Sequence, residues 1–212
     1  DGSNGYYQFF VDKTGTYTLS LQNPPGYLSS ANCLDQGFLD APDSLMLNRT
    51  LKKQIRRHQL QFSVNKAFAQ VVALCAAPRE KQPGTWILPQ MQQAYLQLHR
   101  QGHAHSIEVW QQDKLVGGLY GVLVGSLFCG ESMFNLMPDM AKLALVALQQ
   151  HLQCVASGWI DCQMPNPFLL QLGATAMPRA DYVALLEQCR SRTLPPAHWQ
   201  PQHQQLEPEL GV

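Results

Sequence analysis

No apolar run in this chain approaches the roughly 18 residues that a membrane-crossing helix needs, and its first residues lack the charged-then-apolar order of a secretion signal. The expectation is a cytoplasmic protein with no membrane partner. Charge of one sign is also missing, because lysine plus arginine and aspartate plus glutamate number 15 each. A neutral chain has no overall field to draw in long duplex nucleic acid, so any nucleic-acid contact must be local. The six cysteines (Cys33, Cys75, Cys129, Cys154, Cys162, Cys189) form no CxxC pair and keep no regular spacing. That argues against a zinc site or a disulfide framework and for buried thiols. Charged residues are scarce, 14% against 45% apolar ones, which excludes a disordered chain.

What remains is a folded chain of 212 residues, long enough for a sizeable core. Residues 1 to 44 are the least regular part. Tyr6 to Val11 and Thr16 to Leu21 are predicted as a hairpin, followed by an Asn23-Pro-Pro-Gly26 turn and a stretch of Ser, Asn, Asp and Gly. This part reads as a small lobe or cover. From Asn48 to His58 the pattern is helical, with Leu51 and Ile55 four apart and Lys52, Lys53, Arg56 and Arg57 on the remaining surface. Such a cluster is either a solvated helix face or a patch that contacts phosphates.

Phe62 to Val64 reads as a short strand, Lys66 to Ala76 as a helix with Phe68, Val72 and Cys75 on one face, and Gln90 to Arg100 as a second helix turning Met91, Ala94, Tyr95 and Leu98 inward. His103 and His105 alternate at the start of the next strand and should share a face. No third ligand accompanies them, so the expectation is structural histidines and no metal. Gln111 to Lys114 makes a tight turn into Leu115 to Val124, which predicts an antiparallel pair. The glycines at 117, 118 and 121 then imply close approach of a ligand or another backbone, or a bulge. After the strand Leu127 to Phe134, a helix runs from about Pro138-Asp139, with Asp139 as N-cap, to Gln153. Its apolar residues Ala141, Leu145, Leu148 and Leu152 on one side and Leu143 and Val146 on another predict cover on more than one side.

Asp161 and Gln163 lie two apart on a predicted strand, Trp159 to Gln163, which would point both to one face with Cys162 turned away. A carboxylate and a carboxamide among apolar neighbours are costly unless paired or used. Glu131, within the apolar run Phe128 to Phe134, poses the same question. These groups suit either a structural hydrogen-bond network or a reactive site.

The order of elements is α+β, a mixed sheet flanked by helices, and resembles the acyltransferase fold of the Gcn5-related type. The Gly-rich loop that would cradle acetyl-CoA is replaced by Ser132-Met-Phe-Asn-Leu-Met-Pro138, which argues against that donor. A more specific resemblance rests on Gly84 to Ile87, Leu98 to Trp110, Leu115 to Gly121, Phe128-Cys-Gly-Glu-Ser-Met-Phe134, Ile160-Asp-Cys-Gln163, Leu172-Gly-Ala174, Pro178-Arg179, Arg192 to Pro195 and Trp199-Gln-Pro201. These are similar to the motifs of the leucyl/phenylalanyl-tRNA protein transferases, over roughly residues 46 to 201.

The resemblance implies an enzyme that moves leucine or phenylalanine from its tRNA to the N-terminal amine of a protein beginning with arginine or lysine, which marks that protein for degradation. It implies no cofactor and no metal. It further implies that Gln163 holds the attacking amine, that Asp161 orients Gln163 and favours proton loss, and that Glu131 adds polar recognition. Leu119, Phe128, Met133, Leu145 and Ile160 match a pocket for an apolar side chain unbranched at Cβ. Trp86 matches a residue that stacks on the terminal adenosine, and Lys52, Lys53, Arg56 and Arg57 fall where the family contacts the tRNA acceptor stem. The chain is expected to divide into a divergent lobe (1–44), an acyltransferase-like core (45–194) and an ending (195–212) that either wraps or hangs loose. The family's N-terminal motifs have no counterpart in residues 1 to 44. Two alternatives therefore stay open: a relative that acylates another peptide or small-molecule amine, and a silent relative that only binds tRNA or peptide.

Overall fold

The computed structural model describes residues 36–40, 49–78, 85–155, 158–163, 169–170, 172 and 174–206. The predicted hairpin near the start of the chain lies outside them. The described chain runs β1 (Gln36–Asp40), α1 (Arg49–His58), β2 (Leu60–Val64), α2 (Phe68–Ala76), α3 (Pro89–Arg100), β3 (Ala104–Gln111), β4 (Lys114–Val124), β5 (Leu127–Asn135), α4 (Met140–Gln153), β6 (Ile160–Asp161), β7 (Ala174–Pro178), α5 (Arg179–Arg190), a 3-10 turn (Pro196–Trp199) and β8 (Gln202–Gln204). The strands form one open sheet in the order β7-β1-β6-β5-β4-β3-β2-β8. Its centre is the antiparallel meander β3-β4-β5, and β5 with β6 is its parallel pairing. The class is α+β, a mixed sheet flanked by helices.

Alternation along the strands sends apolar groups to both faces. Ile107 and Leu119 join α4 in the larger cluster, while Ala104 and Tyr120 join α2 in the other. With both faces covered, β3 is buried from Ala104 to Val109 and shows no polar-out rhythm. Helix α4 is enclosed on more than one side, since Leu143 and Val146 are as buried as Leu145 and Leu148.

The glycines of β4 serve the protein's own packing. A Cβ at Gly117 would overlap Met140 at the start of α4, and one at Gly121 would overlap the Cys129 carbonyl and the Phe128 ring, beside a register shift between Tyr120 and Gly121. Of the alternatives open from sequence, approach of another backbone and a bulge are what occurs.

Several local expectations need correcting. Asp139 stands at the N-cap position of α4 but has a left-handed backbone (φ 66) and makes no side-chain cap; its carboxylate instead accepts Gln54 Nε2–H at 2.9 Å, tying α1 to α4. Helix α3 has no fully buried residue, and Ala94, expected inside, is exposed, because α3 packs along one edge of α2 and β3. His103 and His105 do not share an environment. His103 precedes the strand and is exposed, whereas His105 is buried with Nδ1 accepting from Asn65 Nδ2 at 2.9 Å.

Two outer segments join the sheet. Gln36–Asp40, which the sequence groups with the N-terminal lobe, pairs with both β6 and β7. The ending wraps: β8 pairs with β2, and Trp199 inserts between His105 (ring centroids 4.2 Å apart) and Phe128 (5.9 Å). Asn65 fixes that docking by donating to the Trp199 carbonyl at 2.6 Å while accepting Ser106 N–H at 2.9 Å.

Candidate active site

The polar corner forms where β5 and β6 run parallel, with Cys129 registered against Asp161. Strand β6 ends at Asp161, so the expectation that strand alternation aligns Asp161 with Gln163 does not hold. Gln163 lies beyond the strand with φ 61, a left-handed conformation uncommon for any residue that carries a Cβ. A turn brings the two residues together: Gln163 N–H donates to Asp161 Oδ1 at 2.7 Å, while the other carboxylate oxygen, Oδ2, accepts the Tyr182 hydroxyl at 2.8 Å. Asp161 is 7% exposed. Both of its oxygens are thus engaged, which answers the cost of burying it.

The Gln163 side chain reaches back over β5. Its Nε2–H donates to the Gly130 carbonyl at 2.9 Å, beside Glu131 on the same strand. The Gly130 carbonyl faces the NH2 end, which fixes the amide orientation and leaves Oε1 as the acceptor end. Glu131 also accepts the Tyr95 hydroxyl at 2.8 Å. Burial pushes the Glu131 carboxyl above its ordinary range, opposed by the bonds from Tyr95 and Gln163 and aided by the charge of Asp161. The structure thus brings Asp161, Gln163 and Glu131 into one corner.

The apolar residues singled out from sequence also converge. Leu119 pairs across the strands with Met133, and Phe128 with Ile160. Leu145 of α4 belongs to the same cluster. Phe128, Ile160, Leu145 and Leu119 are closed off from solvent, and Met133 is the half-buried member at the edge. Trp86 is 48% exposed, ahead of α3, the helix that carries Tyr95. Burial pushes the Cys129 thiol up to about 12, away from the thiolate form. Cys75, Cys129, Cys154, Cys162 and Cys189 form no disulfide. Among the described residues no group of three or more His, Cys, Asp or Glu could hold a metal ion.

On α1, Leu51 is buried and Ile55 packs against the main cluster, so the opposite side faces outward. Arg49, Lys52, Lys53, Arg56 and Arg57 border a depression of about 460 Å³ there. Arg49 is a member of this stripe that sequence reasoning passed over, although its spacing of three from Lys52 was the available signal. Tyr182 was also passed over. It lies 21 residues from Asp161 on another element, and no local pattern marks it.

An open α+β sheet with this polar corner beside an apolar cluster has the build of a group-transfer enzyme. The chain belongs to the leucyl/phenylalanyl-tRNA protein transferase family, whose model matches residues 40–187. It is 49% identical over 159 residues to the leucyl/phenylalanyl-tRNA–protein transferase of Shewanella piezotolerans, covering 75% of this chain and 67% of that protein. It is 49% identical over 166 residues to that of Shewanella loihica (78% and 70%) and 50% identical over 161 residues to that of Edwardsiella ictaluri (76% and 66%). The matched segment therefore spans about two thirds of the length of these relatives. No helix among the described residues is long and apolar enough to cross a membrane.

Proposed function

We propose that this chain transfers leucine or phenylalanine from its tRNA to the N-terminal amine of a protein beginning with arginine or lysine, by direct aminolysis of the aminoacyl ester. The observation that carries this reading is the Asp161–Gln163–Glu131 corner beside the apolar cluster of Leu119, Phe128, Met133, Leu145 and Ile160, in a chain of this family. The ester is already activated, so the enzyme's task is alignment. Gln163 Oε1 accepts an N–H of the incoming amine and aims its lone pair at the ester carbonyl. The new N–C bond forms, the ester C–O bond breaks, the amine loses a proton and the ribose oxygen leaves with one. Asp161 acts through Gln163, holding its backbone in the turn.

Glu131 and Asp161 place two carboxylates at the acceptor side. They favour an acceptor that brings both an α-ammonium group and a basic side chain. Burial raises the Glu131 carboxyl, which makes it a stronger base for the ammonium proton than an exposed glutamate. On the donor side, the apolar cluster crowds the space near Cβ, where isoleucine and valine carry their extra methyl. Exposed Trp86 offers a face for the terminal adenine, and the stripe on α1 offers cations to the acceptor stem. No cofactor enters this scheme, and aminoacyl-tRNA sets the work in the cytoplasm.

The same reading assigns residues 45–194 to an acyltransferase core of the Gcn5-related type, with 1–44 as its cover and 195–212 as its ending. The short parallel junction of β5 and β6, after the meander, supports that assignment because a brief pairing lets the strands part around a substrate. The test is transfer of labelled leucine or phenylalanine from charged tRNA to a peptide with N-terminal arginine. Label on the arginine peptide is expected. Label on other amines only would move the acceptor to another class, and no transfer together with no charged-tRNA binding would leave a silent relative.

A further inference from the structure

We infer that Tyr182 is a positioning residue for the transfer proposed above: its hydroxyl, donating to Asp161 Oδ2 at 2.8 Å, fixes the carboxylate whose other oxygen holds Gln163 in its left-handed turn. This rests on the reading of Gln163 as the group that meets the amine. A carboxylate bound at Oδ1 alone could swing about its Cβ–Cγ bond. Bound at both oxygens, it has one orientation, and that orientation presents Oδ1 to the Gln163 N–H at 2.7 Å. The chain Tyr182 O–H to Asp161 to Gln163 N–H ends at a side chain whose NH2 is already committed to the Gly130 carbonyl. Every link sets the direction of Gln163 Oε1.

The support for Tyr182 is itself rigid. Helix α5 follows β7 without a loop, and its far end is tied to the β4–β5 turn, where Ser126 N–H donates to the Cys189 carbonyl at 3.0 Å. Between these anchors Tyr182, Leu185 and Leu186 pack with Cys129 and Trp159 around Leu127 and Cys189. Burial, and then the negative charge of Asp161, push the Tyr182 phenol upward, so it remains a donor across the working range. Its ring packing and its hydroxyl are separable. Tyr182→Phe keeps the first and removes the second.

The test is single-turnover transfer by the full chain and by Tyr182→Phe, each also carrying Gln163→Ala, with hydrogen exchange read at the Gln163 amide. The expected result is a fall of about tenfold in the transfer rate, the scale of one hydrogen bond to a charged group. Charged-tRNA affinity should stay unchanged, the melting temperature should fall only by what one hydrogen bond to a buried carboxylate supplies, with the protein still folded at the assay temperature, and the Gln163 amide should exchange faster. On the Gln163→Ala background the Tyr182→Phe change should have no further effect, because the residue it positions is gone.

An unchanged rate, an equal loss on both backgrounds, or a loss no larger than the fraction of protein unfolded at the assay temperature would overturn the proposal. If the unaltered chain transfers nothing, the functional reading fails on its own. The exchange measurement still decides the positioning, because unchanged protection of the Gln163 amide in Tyr182→Phe overturns it and lost protection upholds the hydrogen-bond chain.

Discussion

Glu108 and Glu131 are both glutamates on strands of the central sheet, and burial pushes the carboxyl of each above its ordinary range. Their surroundings differ. Glu108, fully enclosed, accepts the hydroxyls of Ser63 and Ser106 and the backbone N–H groups of Lys66 and Ala67. Trp110 Nε1–H donates to Ser63 at 2.7 Å, which turns the serine proton toward the carboxylate. Helix α2 has no side-chain cap of its own from Ala67, so Glu108 supplies one from the neighbouring strand. Glu131 is half-buried, takes one tyrosine hydroxyl, and otherwise meets a glutamine that is itself exposed. Burial of a charge does not by itself mark a site. A carboxylate whose acceptor positions are filled by the protein is architecture, and one with capacity left beside a solvent-facing partner can meet a substrate.

The largest expected effect lies in the open corner. Gln163→Ala should lower transfer about 100-fold, the scale of removing one group aimed at a transition state. Charged-tRNA binding should stay near the unaltered value. Equal loss in a binding assay and in single-turnover transfer would put Gln163 with Glu108 on the architectural side of the comparison.

The closed corner should respond the other way. Glu108→Gln sets an amide NH2 against groups that are all donors, and should cost about 2 kcal/mol of stability. Transfer per folded molecule should be unchanged. Urea unfolding paired with activity checks this, and a large loss of transfer at full stability would erase the distinction.

Charge at a distance gives the next effect. Neutralising Lys52, Lys53, Arg56 and Arg57 together should weaken charged-tRNA binding at least about tenfold and flatten the slope of log affinity against log salt by roughly 3. The transfer rate at saturation should be kept. An unaltered slope returns α1 to a solvated face.

The smallest effect is in the histidines around Trp199, a second architectural cluster. Burial lowers His105 and His151 from an ordinary 6.5 to about 3, and lowers His198. As pH falls the unfolded chain binds these protons first, so their stability contribution is complete above about 6.5 and is lost between there and about 3. His151→Phe keeps a ring beside His198, now stacked at 3.7 Å, and removes one titration. The acid decline in urea midpoint should become shallower by about one proton. A parallel decline in both proteins would mean that His151 is already charged in the fold.

Local periodicity accounts for most of what could be read early. The stripe on α1, the many-sided apolar surface of α4 and the β3–β4 hairpin depend on neighbours three, four or two residues away, so their patterns lie along the chain. The residue types of the corner were legible too, since Glu131, Asp161 and Gln163 stand among apolar neighbours. Their geometry was not. A two-residue β6 and a left-handed glutamine carry no composition signal, and alternation gave the right partners for the wrong reason. Ala94 and Asp139 show the same limit, because a helical face or a cap position does not say which neighbour arrives.

The sequence by itself determined α1, α4, the β3–β4 hairpin, the α+β class, the family and the identities of the groups in the corner, because these follow from short-range pattern and motif. Tertiary structure decided which carboxylate is saturated and which is open, that Tyr182 meets Asp161 across 21 residues of chain, and that Trp199 docks between His105 and Phe128. Hydrogen-bond saturation is a property of three-dimensional neighbours. Ser63, Ser106 and the start of α2 surround Glu108, whereas Glu131 meets only Tyr95 and an exposed Gln163.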